Sequence, residues 1–165
     1  MLEPLPRPSY LSSPPRANLV AIAGELCAPA IWMGGAHTER GNEIRLEGIA
    51  GSWVIDCAGD MPREYREQAG RWLVRVFADI DAVPSGLPSI RDMVREAASA
   101  MDARSADAPT NVYVVCQHGM NRSGLVAGLL LRELGMSGAE AVERICSARP
   151  GALSNQAFRR LVLEG

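Results

Sequence analysis

Lysine is absent from this chain, and its basic side chains only balance the acidic ones. All 17 basic residues are arginines against 19 acidic residues, so the net charge is −2. A bias of this kind is explained by a GC-rich genome and carries no functional meaning. Because there is no excess of positive charge, the sequence predicts no surface for binding the phosphate backbone of a nucleic acid.

Histidine is scarce, and the cysteines lack the spacing of metal ligands. No C-x-x-C pair and no Cys/His cluster is formed by the four cysteines and two histidines: Cys27, Cys57, Cys116, Cys146, His37 and His118. A structural zinc site needs such clusters, so none is expected. The sequence gives no indication of any other metal or cofactor.

Long hydrophobic runs are also missing. The longest apolar stretch, Leu125–Leu131, is far below the ~18 residues that a membrane span needs. The N-terminus has no basic segment followed by an apolar one, as a signal peptide would have. We therefore expect a cytoplasmic protein with reduced thiols and no membrane association.

The chain does contain glycine and proline residues between apolar segments, a pattern typical of one domain in which strands and helices alternate. Residues 1–17 are rich in proline and are expected to form an extended or disordered arm, while residues 18–165 are expected to form the folded domain. The predicted fold class is α/β, with a central, mostly parallel sheet flanked by helices on both faces. The predicted strands are Ala28–Gly34, Ser52–Cys57, Arg71–Ala78 and Val112–Val115, and the predicted helices are Arg40–Gly48, Ser89–Arg104 (with a capping box from Ser89 to Asp92), Arg122–Leu134, Ser137–Ser147 and Asn155–Leu163.

The segment Cys116–Ser123 is the part of the sequence that carries chemistry. It joins a buried β-branched strand to a helix that is apolar on nearly all sides. The N-terminus of a helix offers unpaired amide N–H groups and a positive dipole, so such a loop favours an anion. Gly119 permits a tight turn, and Arg122 can donate two hydrogen bonds to phosphate oxygens. The same amides would stabilise a thiolate at Cys116, which makes this residue a candidate nucleophile beneath a bound phosphate.

The motif Cys116-x-x-Gly119-x-x-Arg122-Ser123 resembles the signature of the cysteine-dependent protein tyrosine phosphatases, and its dual-specificity branch most closely. The resemblance covers about Ala28 to Leu163. Three further segments are similar to the first strand, the second strand and the tail pattern of that branch: Ile31–Ala36, Trp53–Cys57, and Arg149–Ala152 followed by Ser154, Asn155 and Phe158.

This resemblance implies hydrolysis of a phosphomonoester through a cysteinyl-phosphate intermediate, with a phosphorylated protein or a small phosphomonoester as substrate. Cys116 would attack phosphorus, Ser123 would assist the sulfur as it leaves, and Asn155 would help to hold the loop. The phosphate would be bound by the loop residues Gln117, His118, Gly119, Met120, Asn121 and Arg122. No metal or cofactor is implied, and the oligomeric state is not predicted.

The family also uses an aspartate on a separate loop as general acid. That loop should follow the strand that contains Trp72-Leu73. Matching this pair to the aromatic–leucine pair of the family favours Asp79. Counting back from the helix at Ile90 leaves Asp81 open as the alternative general acid.

One departure from the family's pattern and two other protein classes leave alternatives open. Val115 occupies the position where the family usually has a histidine, which keeps open a phosphate-binding pseudophosphatase that acts as an interaction module. Rhodanese-type sulfurtransferases use a similar loop, but one that is usually a residue shorter, so the five residues between Cys116 and Arg122 favour phosphate. A further hypothesis is that Cys57 forms a protective disulfide with Cys116 under oxidation.

Overall fold

A five-stranded sheet forms the centre of the computed structural model, which describes residues 17–35, 50–59, 61, 63–102 and 107–165, apart from the side chain of Glu64. The strands are β1 (Asn18–Ala21), β2 (Ala30–Gly35), β3 (Trp53–Asp56), β4 (Arg71–Val74) and β5 (Asn111–Cys116). Their order across the sheet is β1-β2-β5-β3-β4, and only the pair β1–β2 is antiparallel. The sheet is therefore mostly parallel, as predicted.

Strand β5 lies in the middle because its sequence suits burial on both sides. Continuous β-branched runs are typical of such strands. Val112 and Val114 face one core cluster together with Cys116, whereas Tyr113 and Val115 face a second cluster on the opposite side of the sheet. Cys116 therefore lies at the C-terminal end of a central strand that is packed on both faces.

Helices cover both faces of the sheet, and the predicted fold class is confirmed. They are α1 (Arg63–Gln68), α2 (Leu87–Ala100), α3 (Arg122–Glu133), α4 (Gly138–Ala148) and α5 (Gln156–Glu164). Helix α3 packs on β5 and β2 and is surrounded by α2, α4 and α5, which explains its apolar character on nearly all sides. Helix α1 contributes Tyr65 to the second cluster, on the other face. Among the described residues, no helix combines the length and the apolar character that crossing a membrane requires.

The predicted strand Arg71–Ala78 is wrong at its C-terminal end. Strand β4 stops at Val74, which is in register with Asp56, the last residue of β3. In the described part of the chain, β4 is an edge strand with β3 as its one neighbour, so the residues after Arg75 have no described strand to pair with. They form an irregular loop, in which Val76 is 65% exposed.

The capping box from Ser89 to Asp92 is also wrong. Helix α2 begins two residues earlier, at Leu87, with Gly86 as N-cap and no side-chain cap. Pro88 in the first turn needs no amide partner and therefore suits this early start. The Ser89 hydroxyl instead accepts a hydrogen bond from Arg75 Nε. The helix also ends at Ala100 rather than at Arg104.

Two elements were not predicted, and two predictions cannot be compared with the structure. Strand β1 precedes Ile31–Ala36, so this segment is not the first strand of the sheet, and the short helix α1 was missed. The predicted helix Arg40–Gly48 lies outside the described residues, as does the arm at residues 1–17 except for Ala17, which packs against the second cluster.

Candidate active site

The loop between β5 and α3 is a tight turn that only glycine fits at its centre. Gly119 has a φ of +71°, in the left-handed region. A Cβ at this position would lie 2.4 Å from the carbonyl carbon of Gly34 and 2.5 Å from the amide nitrogen of Gly35. The end of β2 therefore presses directly on the loop and fixes its path.

The sulfur of Cys116 lies inside this loop. Cys116 is only 2% exposed. The Gly119 amide donates a hydrogen bond to Sγ at 3.2 Å, and Ser123 Oγ lies 3.3 Å from the same sulfur. An amide, a hydroxyl and the N-terminal end of α3 thus converge on one atom.

A cavity of about 250 Å³ opens above the sulfur. Its wall is formed by Asp79, Cys116, His118, Met120, Asn121, Arg122, Gly151 and Ser154. Arg122 Nε is buried and finds no acceptor among the described residues. An unpaired buried donor costs roughly 1–3 kcal/mol, so this N–H suits a ligand that brings an acceptor oxygen, such as a phosphate.

Asp79 lies in the wall of the cavity, and two amide groups hold its carboxylate. Asn121, on the Cys116 loop, donates from Nδ2 to Asp79 Oδ2 at 3.1 Å, and Asn155 donates from Nδ2 to Oδ1 at 2.9 Å. Asp81 lies outside the cavity wall, and its Oδ1 accepts a hydrogen bond from the amide of Ala157 in the first turn of α5. The two candidate acids therefore have different surroundings, and only Asp79 faces the sulfur's cavity.

Asn155 connects three parts of the site. Its side chain caps α5, because Oδ1 accepts from the Phe158 amide, while its main-chain amide donates to Asn121 Oδ1 at 2.9 Å. We expected Asn155 to hold the Cys116 loop, and it does contact that loop through Asn121. Its side-chain amide, however, donates a hydrogen bond to Asp79, which lies on a different loop.

Of the loop residues predicted to bind phosphate, four side chains line the cavity and two do not. His118, Met120, Asn121 and Arg122 are in the wall. Gln117 is exposed and Gly119 is buried, and neither residue is part of the wall. Ser123 is fully buried beneath the sulfur.

Neither a protein-family model nor a curated protein sequence matches this chain. Solved structures do match. Human DUSP28 is 22% identical, with 92% of each chain covered and a TM-score of 0.65. A mouse putative dual specificity phosphatase complexed with zinc tungstate is 21% identical, with 93% of this chain and 87% of that chain covered and a TM-score of 0.62. The phosphatase domain of Yvh1 from Chaetomium thermophilum is 21% identical, with 90% and 94% covered and a TM-score of 0.62.

This chain has the dual-specificity phosphatase fold. The resemblance inferred from the sequence is confirmed at the level of the fold, and it extends over about nine-tenths of the chain.

Within the dual-specificity phosphatase fold, the structure adds a residue to which the sequence analysis gave no role. Arg149, at the end of α4, is 2% exposed and lies behind the Cys116 loop. It donates from Nε to the Gly119 carbonyl at 2.8 Å and from Nη2 to the His118 carbonyl at 3.3 Å. Burial lowers the pKa of Arg149, and the charge of Cys116 acts in the opposite direction. The only sequence signal was the tail pattern, which does not indicate where the guanidinium points.

Asp56 and Cys57, at the end of β3, form a second buried feature of the same fold. The Asp56 carboxylate accepts from the amides of Ala58, Gly59 and Met61 and thereby shapes the turn after the strand. The Cys57 amide donates to the Val115 carbonyl at 2.8 Å, which places this cysteine beside the end of β5. Burial raises the pKa of the Cys57 thiol, and the neighbouring charge of Cys116 raises it further.

Proposed function

We propose that this chain hydrolyses a phosphomonoester through a cysteinyl-phosphate intermediate, as a cysteine-dependent phosphatase of the protein tyrosine or dual-specificity type. One observation carries the proposal: Cys116, Asp79 and Arg122, whose buried Nε is unpaired among the described residues, line the same cavity. A nucleophile, an anion-binding donor and a proton donor are the groups that this reaction needs.

In the first step, the Cys116 thiolate attacks phosphorus and the bond from phosphorus to the leaving oxygen breaks. Arg122 and the loop amides hold the other phosphate oxygens, and the carboxyl group of Asp79 gives its proton to the leaving oxygen. A protonated carboxyl group still accepts hydrogen bonds, so the amides of Asn121 and Asn155 can keep Asp79 in place during this transfer.

In the second step, water attacks the phosphocysteine. Asp79, now a carboxylate, takes a proton from the water, and the phosphorus–sulfur bond breaks. The Ser123 hydroxyl, 3.3 Å from Sγ, donates a hydrogen bond to the departing thiolate and makes the sulfur a better leaving group. The products are inorganic phosphate and the free enzyme, and no step requires a metal or a cofactor.

The valine at position 115 does not alter the wall of the cavity. Its side chain packs with Val54 and Tyr113 on the face of the sheet opposite to Cys116. A phosphate-binding pseudophosphatase stays the alternative, and the measurement of turnover decides between the two.

Hydrolysis of p-nitrophenyl phosphate tests the proposal. We expect turnover by the full chain, inhibition by vanadate, no loss with EDTA and no turnover by Cys116→Ser. Phosphate binding without turnover would indicate a pseudophosphatase, and transfer of sulfur from thiosulfate to cyanide would indicate a sulfurtransferase. Turnover that persists unchanged in folded Cys116→Ser would refute the assignment.

A further inference from the structure

The guanidinium group of Arg149 is buried behind the Cys116 loop and is hydrogen-bonded to the peptide units of that loop. In a trans peptide, the carbonyl group and the N–H of the same unit point in opposite directions. The described residues contain no cis peptide bond. A donor that binds a loop carbonyl from behind therefore also sets the direction of the next amide N–H on the inner side.

Arg149 makes this contact at two consecutive peptide units. Its Nη2 binds the His118 carbonyl at 3.3 Å, and the N–H of that same unit belongs to Gly119, which donates to Cys116 Sγ at 3.2 Å. Its Nε binds the Gly119 carbonyl at 2.8 Å, and the N–H of that unit belongs to Met120, a residue of the cavity wall.

A third hydrogen bond fixes the guanidinium itself. Nη1 of Arg149 donates to Asn18 Oδ1, in the edge strand β1, at 2.7 Å. The planar, forked guanidinium can satisfy all three acceptors at once, which an ammonium group cannot do with the same geometry. Its positive charge also lies close enough to interact with that of Cys116.

We infer that Arg149 is a positioning residue for the proposed reaction, holding the Gly119 amide on the nucleophilic sulfur and the Met120 amide towards the phosphate. The inference rests on the proposed function, and it gives β1 and α4 a role in the site although neither contributes to the cavity wall. Arg149 touches neither substrate nor the reacting atoms.

The test compares Arg149→Met and Arg149→Lys with Arg144→Met in the full chain. Arg144 is a matched control because it is also on α4 and also binds β1, through the Val20 carbonyl, but it makes none of the contacts to the loop. For each variant we would measure kcat and KM for p-nitrophenyl phosphate, the inhibition constant of inorganic phosphate, and the melting temperature. The rate of alkylation of Cys116 by iodoacetamide is measured at one fixed pH, with and without phosphate.

We expect Arg149→Met to lower kcat/KM by roughly 10²-fold, the usual effect of losing one oriented amide donor in an active site. Alkylation of Cys116 should slow, and the inhibition constant of inorganic phosphate should rise. Arg149→Lys keeps the charge and should restore most of the alkylation rate, while kcat stays low because one ammonium group cannot orient both carbonyls. Arg144→Met should lower only the melting temperature.

Several results would overturn the inference. One is a folded Arg149→Met protein with wild-type kcat/KM and a wild-type alkylation rate, and another is an Arg144→Met protein that loses as much activity. If Arg149→Met does not fold, Arg149→Lys decides, and wild-type kcat in that variant refutes the inference. If the wild-type protein has no turnover, the proposed function fails, whereas the role of Arg149 is still judged by alkylation and phosphate protection of Cys116.

Discussion

Asn155 Nδ2 donates to Asp79 Oδ1 at 2.9 Å, and the same nitrogen donates to the carbonyl of the next residue, Ile80, at 2.8 Å. One amide group therefore fixes both the side chain and the main chain of the loop that carries the proposed general acid. Because Asn155 also caps α5, the position of the acid depends on a helix that contributes no side chain to the cavity wall. Mutations of Asp79 and of Asn155 can therefore test the proposed acid and the residue that holds it separately.

Replacement of the two aspartates should give opposite results. We expect Asp79→Ala to lower kcat by roughly 10²–10⁴-fold, the usual contribution of general acid catalysis. The loss should be larger for an alkyl phosphate than for p-nitrophenyl phosphate, because a poorer leaving group depends more on the proton. Asp81→Ala should keep kcat and lose about 1 kcal/mol of unfolding free energy, since its carboxylate binds an amide at the N-terminus of α5. A large fall of kcat in Asp81→Ala alone would reverse the assignment.

Asn155→Ser should separate the support of the acid from the helix cap. Serine caps a helix well, so the unfolding free energy should change little, but the two hydrogen bonds to the acid loop are lost. We expect kcat to fall roughly 10–10²-fold, as misplacement of a reacting group does, with KM little changed. Asn155→Ala should show the same kcat and lose about 1 kcal/mol more stability. Equal kcat for Asn155→Ser and the wild type would contradict this role.

Gly119→Ala should abolish activity, because the added Cβ meets the main chain of β2 and the left-handed φ is strained. Gly86→Ala is the matched control, since a Cβ there meets nothing within 4 Å. We expect Gly86→Ala to retain kcat and to lose at most about 1 kcal/mol of stability, because alanine is a poorer N-cap than glycine. Turnover numbers and denaturant midpoints of the two variants measure the difference, and an active Gly119→Ala enzyme would show that the loop has another path.

Cys57 is expected to protect the nucleophile from oxidation. Continuing the register of β3 and β5 places Cys57 beside Cys116, and neighbouring strands about 4.7–4.9 Å apart fall within the Cα range of a disulfide. Peroxide would oxidise the Cys116 thiolate to a sulfenic acid, and the Cys57 thiol would then displace water to form the disulfide.

Without Cys57, a second equivalent of peroxide would oxidise the sulfenic acid to the sulfinic acid, which dithiothreitol does not reduce. After treatment with excess peroxide, dithiothreitol should therefore restore activity to the wild-type protein but not to Cys57→Ala. Cys146→Ala serves as the control and should behave as the wild type, because Cys146 lies on α4 and donates to the Ala152 carbonyl instead. Inactivation of the wild-type protein that dithiothreitol fails to reverse would refute the disulfide.

The ion pair between Glu25 and Arg144 should make a small part of the stability sensitive to acid. The hydrogen bond from Arg144 holds the pKa of Glu25 below its ordinary value of 4.5. Because the folded-state pKa is lowered, the contribution is present above the ordinary value and is lost as the pH falls through the lowered one. Glu25→Gln should therefore cost less than about 1 kcal/mol at neutral pH, and nothing in strong acid. A difference in urea midpoints that is independent of pH would contradict this.

Local sequence was enough to predict the elements around the nucleophile, but not those set by distant contacts. Adjacent residues indicate the order of strand, glycine-containing loop and apolar helix around Cys116, and the predicted boundaries agree with the structure to within one residue. The end of β4 depends on where β3 ends, so Arg71–Ala78 was predicted too long. Strand β1 is four residues long, and it is recognised as a strand by its pairing with β2, which is a tertiary contact that local sequence does not indicate.

The same distinction applies to the candidate site. Cys116, Arg122 and Ser123 follow from one motif, whereas the choice between Asp79 and Asp81 depends on the path of an irregular loop. The role of Arg149 depends on burial behind a loop 30 residues away along the chain, which no local pattern expresses. Sequence spacing thus predicts the groups that we propose to act on the phosphate, and packing decides which groups lie behind them.

The most direct test of the account is to trap the covalent intermediate. Rapid acid quenching of the protein during turnover of p-nitrophenyl phosphate, followed by mass spectrometry, should show one phosphoryl group on the peptide that contains Cys116. Asp79→Ala should retain more of it, because the same residue activates the water that removes it. Turnover with no phosphoryl group on Cys116, or with the label on another residue, would contradict the account.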